Sequence, residues 1–372
     1  MKITIVIGAF LPCPPIEGGA VEKMWYELAK KFIQKGYSVD IISKSMSQLR
    51  DGFDEYGINH IRIHGYTAPS NIIFRLIKDF KYTMRTLSKI DEESSIIVSN
   101  TFWLPILSSL KNKKKLYVDV ARMPKGQLQF YKNIGRLRAN STPVKDAIFK
   151  ENAKANISII PNPLPFELKN DTNPILKENL ILFVGRIHPE KGIHLLINSF
   201  KLIKNKNWRL KVIGPSQLDA GGGGQVYLKK LQDSAKGFNN IEISDPIYDR
   251  DLLIAEYQKA KIFVYPSLAE KGETFGLAPL EAMACGAVPI LSELECFHDF
   301  VIDNHNGVFF DHRKENALII LRDKLDYLID NQNELELLRN HAISVRETHS
   351  VDHIANLFLE DFLKIQKENG GE

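Results

Sequence analysis

Short apolar runs alternate with stretches of helical periodicity along the whole chain. In the first half, residues 2–7, 37–42, 61–63, 96–98, 116–120 and 157–160 are apolar runs of strand length. In the second half the same reading applies to 180–184, 210–213, 241–243, 262–265, 288–291 and 306–310. Most are continuous rather than alternating, which predicts parallel strands covered by helices on both faces. Residues 21–36 supply the first covering helix, with Met24, Trp25, Leu28, Ala29, Phe32 and Ile33 at helical spacing. Residues 72–90 form a second, in which Ile73, Phe74, Ile77, Phe80, Met84 and Leu87 are interleaved with Arg75, Lys78, Lys81, Arg85 and Lys89. A basic amphipathic helix of this kind packs its apolar stripe on a core or lies on an anionic membrane. The pattern leaves both open.

The most informative stretch is 261–291. The apolar run Ile262-Phe263-Val264-Tyr265 stops at Pro266 and Ser267, and a polar loop holds Glu270, Lys271, Gly272, Glu273 and Thr274. A helix-forming run around Leu280 to Cys285 is closed by Gly286, and Val288-Pro289-Ile290-Leu291 is the next strand. This strand, loop, helix and strand make one βαβ unit, whose loop lies where open α/β sheets bind ligands. The free N–H groups near Phe275, Gly276 and Leu277 suit a phosphate. Glu273 and Glu281, with seven residues between them, suit hydroxyls. A nucleotide diphosphate sugar carries both groups.

Two further turns fit such a ligand. Gly185 and Arg186 end the 180–184 strand, and Lys191 precedes a helix expected from Ile193. Two cations there can neutralise a diphosphate, Arg through a planar fork and Lys as a point charge. Gly18 and Gly19 precede the first helix, where a phosphate could approach bare backbone. The turn is not GxGxxG, so a dinucleotide-dehydrogenase reading fails. Gly221 to Gly224 reads as a flexible surface excursion, and His188 as a plain loop residue.

The run ETFGLAPLEAMACGAVPI resembles the E-x7-E motif of retaining GT-B glycosyltransferases of family 4, and Gly185-Arg186 with Lys191-Gly192 resembles that family's second phosphate signature. The resemblance implies a GT-B fold, two doubly wound Rossmann-like α/β domains facing across a cleft. It implies an acceptor domain over 1–165 plus about 352–372, the last helix crossing back, and a donor domain over 166–351. Strand-free residues 167–177 would link them. Glu273 would hold the donor hexose and Glu281 the ribose. Arg186, Lys191 and the turn at Gly276 would stabilise the leaving diphosphate, Ile247 would contact the base, and Gly18 and Gly19 would close over the phosphates. Asn100, Arg122 and Lys125 lie at strand ends and are the candidates for the acceptor. With Arg186 and Lys191 present and no Asp-x-Asp motif, neither metal nor other cofactor is expected. The implied reaction moves a hexose, with UDP-glucose the donor by family frequency, to a glycan or lipid-linked hydroxyl with retention.

Three departures from the family pattern bear on this. No histidine follows the 116–120 strand, Pro161-Asn162-Pro163 stands where relatives have Pro-Asn-Gly, and Glu295-Cys296-Phe297-His298-Asp299 replaces a Gly-Gly-x-x-Glu turn. The missing histidine keeps a catalytically idle sugar-binding subunit in view, and a GT-B epimerase or phosphorylase would share the fold.

At 372 residues, 44% hydrophobic and 25% charged, the chain suits two globular domains. Cys13, Cys285 and Cys296 have neither disulfide-framework nor zinc spacing. With no signal-peptide core or membrane-spanning run, a cytoplasmic protein is expected. Residues 1–165 hold 25 Lys+Arg against 14 Asp+Glu, a balance of +11, and the remainder 24 against 31, a balance of −7. The basic half suits a phosphate-bearing or membrane-anchored acceptor, with peripheral contact to an anionic membrane. Nucleic acid is not an expected partner.

Overall fold

A computed structural model describes residues 1–168 and 176–370. The chain divides into two compact units, Met1–Pro165 with His349–Glu372, and Phe166–Thr348. Most of the linker expected over 167–177 lies outside the described residues.

In the first unit the strands are β1 Lys2–Val6, β2 Ser38–Lys44, β3 Gly52–Phe53, β4 Asn59–Ile63, β5 Ile96–Ser99, β6 Leu116–Val120, β7 Arg136–Ala139 and β8 Ile157–Ile159. They form one sheet in the order β3-β4-β2-β1-β5-β6-β7-β8, parallel except for the short edge pair β3/β4. Ile5 is opposite Ile41 on one side and Val98 on the other, so the apolar runs lie at the sheet centre. The helix Ala20–Gln34 buries Trp25, Leu28, Ala29 and Phe32. The last helix, Val351–Gly370, packs on the same core: Phe358 lies 5.0 Å from the Trp25 ring, and Phe362 lies 4.9 Å from Tyr117. This places the returning helix within the first unit.

Two charged residues sit inside β6 and β7 and are partners in register, Asp119 opposite Arg138. Both side chains are fully buried and their ion pair is 2.8 Å long. The remaining polar atoms are also used. Trp25 Nε1 donates to Asp119 at 3.0 Å, Arg138 Nε donates to the Ile160 carbonyl, and Arg138 Nη2 donates to Asn162 Oδ1. A buried pair is tolerated only with such satisfaction.

His349 begins the return segment. It is buried, and its carbonyl accepts from Leu164 N at 2.7 Å. Burial, with His353 adding to it, lowers the imidazole pKa from 6.5 to about 4. The folded ring is neutral where the unfolded chain is already protonated, so its contribution to stability is complete above pH 6.5 and is lost as pH falls toward 4. The loss expected over that window is about 3 kcal/mol. His349→Gln should flatten this part of the curve of unfolding free energy against pH.

The helix Ile72–Leu87 overturns the core-facing alternative. Its buried residues are Asp79, Tyr82, Thr83 and Thr86, while Ile73, Phe74, Ile77, Phe80 and Met84 are exposed. The polar face is fastened inward: Asp79 accepts from Phe102 N at 3.0 Å, and Trp103 Nε1 donates to the Leu76 carbonyl.

In the second unit the strands are β9 Glu178–Val184, β10 Arg209–Ile213, β11 Ile241–Ser244, β12 Ala260–Tyr265, β13 Val288–Ser292 and β14 Val308–Phe310. Their order is β11-β10-β9-β12-β13-β14, all parallel. The order reverses between β9 and β12. The carboxyl ends of these two strands flank the topological switch point, where open α/β sheets bind ligands. In the first unit β1 and β5 have the same relation.

Candidate functional site

β9 is followed by Gly185 and Arg186, and β12 by Pro266 and Ser267. The two loops are joined by backbone, since Leu268 N donates to the Glu190 carbonyl at 2.7 Å. Gly192 makes the approach possible. Its φ is +65°, and a Cβ there would lie 1.9 Å from the Pro266 carbonyl oxygen, so no other residue fits without shifting the loop.

This junction brings Lys191 against Glu273. Lys191 Nζ lies 2.6 Å from Glu273 Oε2, with side chains 8% and 12% exposed. Ser267 Oγ donates to the same carboxylate oxygen at 3.2 Å. The ammonium also sits 5.2 Å from the centre of the Tyr265 ring. Burial, and then the Glu273 charge, push the Tyr265 hydroxyl well above its ordinary pKa, so it stays a neutral donor. Neither Lys191 nor Glu273 is a solvated surface charge: each is positioned by the other.

Arg186 is more exposed and is held at two points. It donates to Glu190 Oε1 at 2.7 Å and to the Gly221 carbonyl at 2.6 Å. The second bond corrects the reading of the glycine run as a loose excursion. Gly222 is buried, Gly223 N donates to the Ile187 carbonyl, and Gly224 N donates to the Ser216 carbonyl. The run is a tight turn laid on the loops that follow β9 and β10. Four consecutive glycines, the last of them opening the helix Gly224–Ala235, were the available signal.

The helix Leu277–Ala284 starts at Gly276, whose φ is +92°. A Cβ there would lie 2.5 Å from a ring carbon of Phe297, so the sharp entry and the close packing both select glycine. Phe275 is buried and packs on Phe300 at 5.4 Å between ring centres. Leu277, half-buried, opens the helix. Gly286 closes it in the left-handed conformation at φ +76°. Glu281 lies about one turn in. It accepts from Tyr257 Oη at 2.8 Å, and Tyr257, on the helix Arg250–Lys259, is wholly buried. Sequence reading had no access to Tyr257, because the contact joins two helices.

Gly185, Arg186, Lys191, Glu273 and Gly276 therefore belong to loops at adjacent strand ends, and Glu281 to the helix that follows. Ile247 lies apart, half-buried in the turn after β11 at the sheet edge, two strands from β9. The Glu295–Phe297 segment that replaces the expected glycine turn is a single 3-10 turn, and it supplies the Phe297 ring behind Gly276.

In the first unit Gly18 and Gly19 have φ of +83° and +100°, and Gly19 caps the helix Ala20–Gln34. Glu22, which sequence reading passed over, folds back onto this turn; a Cβ on Gly19 would lie 2.1 Å from its Oε2. Burial raises the Glu22 pKa and the Arg122 guanidinium pulls it back, which places Arg122 near the glycine turn. Asn100 follows β5, and both its N and Nδ2 donate to the Val6 carbonyl at 3.1 Å. It fastens the ends of β1 and β5 together. Lys125 is exposed, and its N donates to Gln127 Oε1. Among the described residues no cluster of three or more His, Cys, Asp or Glu could hold a metal ion, and no helix is long and apolar enough to cross a membrane.

Residues 166–345 match the family described as glycosyl transferases group 1. A curated relative, the lipopolysaccharide 1,2-N-acetylglucosaminetransferase of Salmonella typhimurium, is 26% identical over 96% of this chain and 97% of its own length. Among solved structures, sucrose-phosphate synthase from Thermosynechococcus elongatus superposes with a TM-score of 0.75 at 16% identity, over 98% of this chain and 99% of that one. Anabaena HepE in complex with UDP and glucose superposes with a TM-score of 0.71 at 15% identity, over 98% and 100%. The fold is accordingly GT-B, with one Rossmann-like sheet in each unit. The residues that bring Lys191 to Glu273 lie within the stretch that matches the glycosyl transferases group 1 family.

Proposed function

We propose that the chain is a retaining glycosyltransferase of family 4, moving a hexose from a nucleotide diphosphate sugar to a hydroxyl of a glycan or glycolipid in polysaccharide or lipopolysaccharide assembly. The observation that carries this is the buried Lys191–Glu273 pair beside Arg186 and the Gly276 turn, at the switch point of the second sheet. Two cations and a helix N-terminus offer fixed charge to a leaving diphosphate. Glu273 orients the hexose and Glu281, held by Tyr257, takes the ribose. Phe275 and Leu277 shape the turn that carries the phosphate-facing N–H groups. Gly185 leaves room at the end of β9, Ile247 contacts the base, and Gly18 and Gly19 close over the phosphates. Asn100, Arg122 and Lys125 serve the acceptor in the basic first unit. No metal is required, because the cations take that role.

UDP-glucose is the working donor. The HepE structure holds UDP and glucose, and the Salmonella relative is named for transfer to lipopolysaccharide, which supports a nucleotide-sugar donor and an envelope-glycan acceptor. The test is calorimetric binding to a panel of UDP-, GDP- and ADP-hexoses, comparing the wild type with Arg186→Ala and Glu281→Ala. One nucleotide class should bind. Removing a charge-assisted hydrogen bond of this kind costs about 1.5–3 kcal/mol, so each variant should weaken binding roughly ten-fold or more. Binding that ignores both substitutions removes the assignment.

A further inference from the structure

The helix Ile72–Leu87 is built inside out. Ile73, Phe74 and Ile77 are 63%, 60% and 45% exposed, and Phe80 and Met84 are exposed with them. Beneath them the fold buries Asp79, Tyr82, Thr83 and Thr86. The buried side is not well satisfied: Tyr82 Oη and Thr83 Oγ1 have no hydrogen-bond partner, and burial raises the Asp79 pKa to about 6. Rotating the helix would bury the apolar residues and wet the polar ones, so stability alone does not explain the arrangement.

At about 100° per residue, Ile73, Ile77, Phe80 and Met84 share one narrow stripe. Lys81, Arg85 and Lys78 follow along one flank of that stripe. The segment 72–89 carries five cations, and its one acid, Asp79, is on the buried side. The cations are aimed by local bonds. Lys78 Nζ donates to the Thr67 carbonyl, and Arg85 donates to Tyr66 Oη at 2.9 Å. An apolar stripe beside a cationic stripe fits a surface that is itself apolar beneath and anionic at its rim. Residues 1–165 have a balance of +11, which extends the same sign beyond the helix.

We infer that the Ile72–Leu87 helix docks the protein on an anionic phospholipid bilayer, with Ile73, Ile77, Phe80 and Met84 entering the acyl boundary and Lys78, Lys81 and Arg85 at the headgroups. The inference rests on this helix alone and is independent of the donor-site reading.

The test is sedimentation of the full chain with vesicles of phosphatidylcholine alone and of phosphatidylcholine with phosphatidylglycerol, at low and high salt. Two variants accompany it, Ile73→Ser with Ile77→Ser and Lys81→Glu with Arg85→Glu; circular dichroism verifies their fold. Wild type should pellet with the phosphatidylglycerol vesicles and be released by salt. The charge variant should bind weaker by roughly five-fold for each cation removed, and the serine variant should lose binding at unchanged helicity. Equal pelleting with both vesicle types, or variants that pellet like wild type, overturns the inference. So does a dimer in solution that the serine variant dissociates, since the stripe would then be covered by a second copy.

Discussion

Lys191→Ala is expected to lower the turnover number by on the order of 10²–10³ while leaving the second unit folded. Charge grows on the diphosphate as the sugar leaves, so a fixed cation contributes more to the transition state than to the bound donor. The loss should fall mainly on kcat, with a smaller change in donor affinity. Lys191 also holds Glu273, whose carboxylate would keep the Ser267 and Tyr265 hydroxyls. Steady-state kinetics with donor affinity measured separately distinguish the two roles. A loss of donor affinity with the turnover number unchanged would mean that Lys191 holds the donor equally in the ground and transition states.

Asp119→Ala is expected to destabilise the first unit by about 3–5 kcal/mol. The substitution leaves the Arg138 guanidinium buried with no carboxylate opposite it. Arg138 keeps bonds to the Ile160 carbonyl and to Asn162, which neutralise nothing. Because Arg138 also lies 5.4 Å from the Phe358 ring, the anchorage of the return helix should weaken with it. Chemical denaturation followed by far-ultraviolet dichroism measures the change. A paired replacement of both residues by apolar side chains of similar volume should recover most of it.

The parts legible in the sequence were those decided locally. The stretch 261–291 could be read because a strand, its stop, a capped helix and the next strand each carry their own residue signals. β12, the helix Leu277–Ala284 and β13 lie there. Gly276 and Gly286 could be placed for the same reason. Contacts between segments distant in sequence were not legible. Tyr257 reaches Glu281 from another helix, and Gly221 reaches Arg186 across 35 positions. Asp119 falls within the 116–120 strand, but only the β6/β7 register makes Arg138 its partner. The Ile72–Leu87 helix shows a limit of a different kind. Periodicity gives the apolar face of a helix, and the choice of which face is buried belongs to the tertiary structure, here to Asp79 and Trp103.

The central claim is turnover of a nucleotide sugar at the Lys191–Glu273 site. Its most direct test supplies the preferred donor together with envelope-glycan acceptors, follows release of the nucleoside diphosphate, and assigns the new anomeric bond by proton NMR. The account predicts diphosphate release by the wild type, near-complete loss in Lys191→Ala, and a product with the donor's anomeric configuration. A donor that binds and stays intact across the acceptor panel, or a product of inverted configuration, would contradict it.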